Sequence, residues 1–230
     1  MSNLPSHASV VVIGGGIMGC STLYHLGKLG VSDAILLERN KLTSGTTWHS
    51  AAQVRALRNS QNLTRMIQYS VELYSKLEYE TGQSVGWIQK GSLSIATTMD
   101  RLIHIKRQEA LANAYGLNAI SISKGEALER WPMMNGDDVL GAVWSPDDGR
   151  VSPSDVCAAL IKGARKTDNQ VFENCGVSAV LTKNGKVVGV ETSAGTVMCD
   201  AIAVCSGLWS REIGAMAGAE VPVLACEHFY

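Results

Sequence analysis

The chain has 230 residues, with 20 Lys and Arg against 21 Asp and Glu, so its formal net charge is -1. No basic excess marks it as a nucleic-acid partner, and the length suffices for a buried core without a metal or disulfide staple. The 6 cysteines include no Cys-x-x-Cys pair, which excludes a zinc ribbon or a thioredoxin-type site and predicts buried thiols in a reducing compartment.

Residues 10–13 form a short β-branched run, the pattern of a parallel strand buried on both faces. Glycines break the run at once, so it is neither a signal h-region nor a membrane span, and a soluble cytoplasmic protein with no membrane partner is predicted. Gly14-Gly15-Gly16-Ile17-Met18-Gly19 follows, then a helix over 20–29 that stops at Gly30. A second strand over 34–37 ends on Glu38. The Ser/Thr/Gly-rich stretch 42–47 is expected to open a short helix. Over 63–81, Leu63, Ile67, Val71, Tyr74 and Leu77 share a helical face, and Gly82 ends the element.

The pattern next predicts a strand over 92–97, a helix over 99–115, a strand over 118–123, a helix over 124–131 and a strand over 139–145. Asp147-Asp148, set between Pro146 and Gly149, reads as a turn rather than a metal pair, and no metal site is predicted. Ser152-Pro153-Ser154-Asp155 opens a helix whose apolar stripe is Val156, Leu160 and Ala164. Residues 171–205 read as a run of strands, with Asn184-Gly185 as the clearest hairpin turn. Residues 201–205 are a second buried run, ending at Ser206-Gly207; a helix over 209–216 and an extended piece over 221–230 close the chain. It stops inside that piece and is expected to be the N-terminal part of a longer polypeptide.

Gly14-x-Gly16-x-x-Gly19 carries weight through its context. It follows a strand, opens a helix, and precedes by about 20 residues an acid at the end of the next strand. Gly14 suits the tight turn, Gly16 admits a pyrophosphate to the backbone, and Gly19 lets the helix press on the sheet. The helix N-terminus offers N–H groups and a positive dipole end to the phosphates. Glu38 suits a ribose 2′-OH and repels a 2′-phosphate, which leaves NAD or FAD. The chain then departs from a plain nicotinamide domain: another buried strand ending in glycine comes only after long helices and a meander. This order points to FAD.

Leu42-Thr43-Ser44-Gly45-Thr46-Thr47-Trp48-His49-Ser50-Ala51-Ala52 makes the similarity specific. With Glu78-x-Glu80-Thr81-Gly82, Gly86-Trp87-Ile88-Gln89-x-Gly91-Ser92-Leu93-x-Ile95-Ala96, Gly149-x-Val151-x-Pro153, Cys205-Ser206-Gly207-x-Trp209 and His228-Phe229-Tyr230, the chain resembles the D-amino-acid-oxidase superfamily of FAD enzymes. Within it the likeness is to sarcosine and dimethylglycine dehydrogenases, and nearer the former. It implies an α/β fold: a Rossmann-like FAD-binding domain of the glutathione-reductase type with a β-meander (1–84 and 150–220), plus part of an α+β substrate domain (85–149 and 221–230).

The resemblance also implies roles. His49 is bonded covalently to the flavin 8α carbon; Ser50-Ala51-Ala52-Gln53 follows it where relatives often have Ala-Ala-Gly-Leu. Ile17 and Met18 present backbone N–H groups to the pyrophosphate. Glu38 and Arg39 meet the adenosine, and Gly45, Thr46, Thr47, Trp48, His49, Ser50, Ala51, Ala52 and Gln53 wrap the pyrophosphate and ring. Val177 holds the adenine through backbone atoms, and Trp209 follows the closing strand. His228 and Tyr230 lie on the substrate side as the catalytic pair. Arg55, Arg58 and Arg65 are of the type that clamps a substrate carboxylate, but most of them are read as solvated charges.

The implied reaction is oxidation of an N-methyl group of a small amino acid by hydride transfer to flavin N5. Electrons leave to an electron-transfer flavoprotein or oxygen. Tetrahydrofolate would enter only through a C-terminal domain outside this sequence, and the isolated 230 residues are expected to be inactive. In a eukaryote the expected compartment is the mitochondrial matrix. Two other readings stand beside this one: a non-catalytic regulatory homologue of the same fold, and an NAD-dependent dehydrogenase. Bound flavin separates both from the oxidoreductase.

Overall fold

A computed structural model describes residues 4–227. In chain order the elements are β1 (His7–Ile13), α1 (Ile17–Lys28), β2 (Ile35–Leu37), β3 (Gln53–Val54), α2 (Gln61–Thr81), β4 (Ser92–Ala96), α3 (Met99–Ala114), β5 (Ile120–Ile122), α4 (Lys124–Arg130), β6 (Gly141–Ser145), β7 (Gly149–Arg150), α5 (Pro153–Arg165), β8 (Gln170–Phe172), β9 (Val177–Lys183), β10 (Lys186–Thr192), β11 (Gly195–Val204) and α6 (Ser210–Met216). A 3-10 turn, Gly207–Trp209, precedes α6. The chain divides into two compact units: 4–51, 77–85 and 153–227, and 52–76 with 86–152.

The first unit is built on a six-stranded sheet in the order β8-β2-β1-β11-β10-β9. β8, β2, β1 and β11 are parallel, and β9, β10 and β11 form an antiparallel meander. Val11 and Ile13 of β1 pack with Ile35, Leu37, Phe172, Val190 and Val197 on one face. Val12 and Leu36 alternate to the other face and are equally buried. α1 packs on α5 where side chains are smallest: a Cβ on Gly163 would stand 2.6 Å from the Tyr24 ring. Buried Asn169 satisfies both ends of its amide, accepting from Ala34 N–H at 2.9 Å and donating to the Val31 carbonyl at 2.9 Å.

The predicted βαβ opening, the hairpin at Asn184-Gly185 and the meander are all present. Two strand readings change. Val171 belongs to β8, which pairs in parallel with β2 and lies outside the meander. Residues 201–204 end a ten-residue strand that is partly open, with Val204 41% exposed, and Cys205 lies beyond it. A β-branched run does not by itself distinguish a strand covered on both faces from one covered on one.

The second unit holds an antiparallel sheet, β4-β6-β5, and the short pair β3-β7. α3 packs on this sheet, with Ala96, Ile105, Ala112, Ala119 and Val143 in the core. Local caps set its helices: Thr98 accepts from Arg101 N–H, and Ser123 with Glu126 forms a capping box. Ser60 caps α2, accepting from Leu63 N–H at 3.3 Å. Leu63, expected on the apolar face of α2, is 52% exposed, and Thr64 is buried in its place. Thr64 is held there by polar contacts, accepting from Arg58 N–H at 3.0 Å and donating to the Arg58 carbonyl at 3.2 Å. Residues 52–76 and 150–152 pack with this unit, and 85 and 221–227 with the first, a division that differs at those points from the one drawn from the sequence.

No helix among the described residues is long and apolar enough to cross a membrane.

Candidate dinucleotide site at the start of α1

β1 delivers the chain to Gly14, whose φ of 111° is open to glycine alone at low cost. Its N–H donates to the Leu37 carbonyl at 2.9 Å, and a Cβ there would stand 2.5 Å from the Cys205 carbonyl oxygen. The turn is therefore wedged between β2 and the end of β11. A Cβ on Gly19 would overlap the Gly14 carbonyl oxygen, so α1 starts hard against its own entry strand. Met18, between them, is 66% exposed.

The middle glycine of the run, which the spacing argument passes over, has its own role. Gly15 N–H donates to Glu38 Oε2 at 2.7 Å. A Cβ on Gly15 would stand 2.7 Å from Leu42 Cδ2 and 2.9 Å from Glu38 Cβ. The uninterrupted Gly-Gly-Gly was the available signal. Glu38 closes the other side of the turn, accepting from Asn40 N–H at 2.8 Å through Oε1.

Residues 42–49 form successive turns, and the short helix that the 42–47 loop is expected to open is absent. Thr43 has φ 67°, which breaks a right-handed helix, and its N–H donates to the Gly15 carbonyl at 2.9 Å. Gly45, Thr46, Thr47, Trp48, His49, Ser50 and Ala51 all belong to the first unit. Thr47 reaches the glycine turn directly: Ile17 N–H donates to its Oγ1 at 2.9 Å. His49 is exposed, and its ring lies 4.8 Å from that of Trp48.

Ala52 and Gln53 lie in the second unit, where Gln53 and Val54 pair with Arg150 and Gly149. Trp209 joins Arg39, whose guanidinium lies 3.9 Å from the ring centroid. Gly45 comes to the same indole; a Cβ on it would be 3.7 Å from Cζ3. Val177 opens β9, pairs with Thr192 and packs half-buried against the core. His228 and Tyr230 lie outside the described residues.

These residues suit a dinucleotide. The first turn of α1 holds no acidic side chain and Gly16 brings no side chain of its own to the helix N-terminus, where the positive end of the helix dipole favours an anion.

In the second unit, Asp148 proves to be more than a turn residue. It is buried, accepts from Ala56 N–H at 2.9 Å and Ser92 Oγ at 2.6 Å, and lies 3.7 Å from Arg55 Nε. Arg55 also donates to Ser94 Oγ at 3.0 Å. Arg55, Arg58, Ser94, Gln108, Ser145 and Asp148 line a cavity of about 240 Å³. Arg55 and Arg58 thus share a concave polar site, which their spacing alone did not show. Among the described residues no cluster of His, Cys, Asp and Glu is arranged to hold a metal.

A βαβ unit with a glycine-wedged turn, a second-strand acid and a meander closing the sheet defines a Rossmann-like FAD-binding domain. Comparisons agree. The profile described as DAO, FAD dependent oxidoreductase, matches residues 9–230. Mouse mitochondrial sarcosine dehydrogenase is 42% identical over 99% of this chain and 25% of its own length. The mouse mitochondrial pyruvate dehydrogenase phosphatase regulatory subunit is 41% identical over 99% of this chain and 26% of its own length. The crystal structure of L-proline dehydrogenase from P. horikoshii superposes with a TM-score of 0.89 and 29% identity, covering 94% of this chain and 57% of that one. The chain belongs to the DAO family of FAD dependent oxidoreductases. It spans about a quarter of the length of these curated relatives.

Proposed function

We propose that the full-length protein containing this chain oxidises the N-methyl group of a small amino acid of the sarcosine or dimethylglycine type. The observation that carries this reading is the fastening of the Thr47-Trp48-His49 turn onto the first N–H of α1, beside the glycine turn. This joins the part of the site suited to pyrophosphate to the histidine proposed to bear the flavin.

Gly16, Met18 and Gly19 would receive the pyrophosphate beside the turn at Gly14, while the expected Ile17 N–H is held by Thr47 Oγ1 instead; Glu38 and Arg39 would meet the adenosine, Val177 the adenine through its backbone, and Trp209 would stack under Arg39. The turns from Gly45 to Gln53 would wrap the remainder, with His49 as the attachment residue. FAD, when bound, would supply a two-electron acceptor at N5 for hydride from the substrate's N-methyl carbon. The amine must present its lone pair, so it reacts unprotonated. His228 and Tyr230 are proposed on the substrate side. Arg55 and Arg58 supply cationic groups to the second unit's cavity, of the kind a substrate carboxylate needs.

Electrons are proposed to leave to an electron-transfer flavoprotein or oxygen, in the cytoplasm or, in a eukaryote, in the mitochondrial matrix. Tetrahydrofolate would need a further domain. Full-length protein should release formaldehyde from sarcosine; flavin-loaded protein that turns over neither sarcosine nor dimethylglycine would overturn the reading. The likeness to a phosphatase regulatory subunit supports a second reading, a non-catalytic regulator. Protein purified without flavin would favour it.

A further inference from the structure

Three hydrogen bonds fasten the turn that carries His49 to the β1–α1 turn and to Glu173, among others it makes. Leu42 N–H donates to Glu173 Oε1 at 2.7 Å, Thr43 N–H to the Gly15 carbonyl at 2.9 Å, and Ile17 N–H to Thr47 Oγ1 at 2.9 Å. Of these three, the last stands closest in sequence to His49. From there the backbone folds tightly: His49 N–H donates to the Thr46 carbonyl and Ser50 N–H to the Thr47 carbonyl, each at 3.2 Å. The placement of His49 therefore follows that of Thr47. Gly16 makes the contact possible, since a Cβ there would stand 2.9 Å from Thr47 Oγ1. Trp48 offers no comparable anchor, being 60% exposed.

We propose that Thr47 is a positioning residue for covalent attachment of FAD to His49. Its hydroxyl, held by the Ile17 N–H, fixes where the imidazole stands when the pyrophosphate lies against α1. The inference rests on the reading of His49 as the attachment residue. Attachment forms a bond between an imidazole nitrogen and the flavin 8α carbon. The imidazole N–H and one C–H of the 8α methyl group break, and the two protons and two electrons reduce dioxygen to hydrogen peroxide. Thr47 is neither acid nor base in this balance. It acts through placement, and displacement of a reacting group by about 1 Å costs on the order of 100-fold in rate.

The test uses full-length protein produced without flavin, then mixed with FAD in air. The mass of the denatured chain is followed with time. Thr47→Val keeps the shape of the side chain and removes the acceptor; it is expected to slow attachment at least about tenfold, while Thr47→Ser stays within about twofold of wild type. Non-covalent FAD affinity, measured in a His49→Ala background, should change far less than the attachment rate. Thr47→Val attaching at the wild-type rate would overturn the proposal, as would Thr47→Ser being as slow as Thr47→Val. If Thr47→Val fails to fold by circular dichroism, Thr47→Ala is held to the same criterion. Wild-type protein that holds only exchangeable FAD would overturn the His49 reading and this proposal with it; a change confined to the Thr47 variants speaks to this proposal alone.

Discussion

The carboxylate of Glu38 accepts the Gly15 N–H at 2.7 Å, so the acid at the end of the second strand also closes the glycine turn at the end of the first. Its other oxygen accepts from Asn40 N–H at 2.8 Å. Glu38→Ala would leave two backbone donors without this acceptor, at an expected cost of about 1–3 kcal/mol. Glu38→Gln keeps one acceptor oxygen and should fall between the two. Urea midpoints of the three proteins measure this, and identical midpoints would show that the bonds carry no net stability.

Arg39 and Trp209 come from segments far apart in the chain and meet with the guanidinium 3.9 Å from the ring centroid. Trp209 is 39% exposed, so the pair should contribute about 0.5–1 kcal/mol. A double-mutant cycle with Arg39→Ala and Trp209→Ala isolates it. A coupling near zero would reduce the contact to coincidental packing.

Asp148 gathers Ala56, Ser92 and Arg55 around one buried carboxylate. Asp148→Ala should cost about 2–4 kcal/mol, because a buried N–H and a hydroxyl lose a charged partner together. Asp148→Asn should cost less. Thermal unfolding of the three proteins decides, and a midpoint unchanged in Asp148→Ala would show the network to be dispensable.

Cys20, Cys157, Cys175 and Cys199 are buried, Cys205 is half-buried and Cys226 is exposed. The burial expected of all the thiols therefore fails at Cys226, which lies in the irregular segment after α6. A thiol reagent should modify Cys226 first and the four buried thiols only on unfolding. The Cys20 thiol is pushed up by the neighbouring Cys157 thiol and by burial, and burial also raises Cys199. A raised folded value stabilises fully below the unfolded thiol's pKa, about 8.5, and loses ground as pH rises above it. The unfolding midpoint should therefore fall between about pH 8 and 10, and fall less in Cys20→Ala. An equal fall in both would remove Cys20 from the account.

Much of this arrangement was legible in the chain because local chemistry set it. A β-branched run before glycines, an acid after the next strand and Asn184-Gly185 between alternating strands each act over a few residues. What escaped depends on distant partners. Asp148 looks like a turn residue until Ala56 and Ser92 are placed beside it. Stretch 42–47 reads as a loop that opens a helix, but bonds to Gly15 and Ile17 hold it in successive turns from outside. Thr64 displaces Leu63 from the buried face of α2 through bonds to Arg58 that periodicity does not register. Arg55 and Arg58 could be assigned to a cavity only once the strands of the second unit were in place.

His49 is proposed to hold the flavin of a dinucleotide seated at the start of α1. Full-length protein precipitated with acid and redissolved in denaturant tests this most directly. Flavin absorbance should stay with the wild-type chain and be lost to the supernatant in His49→Ala. A wild-type chain that comes down colourless would contradict it.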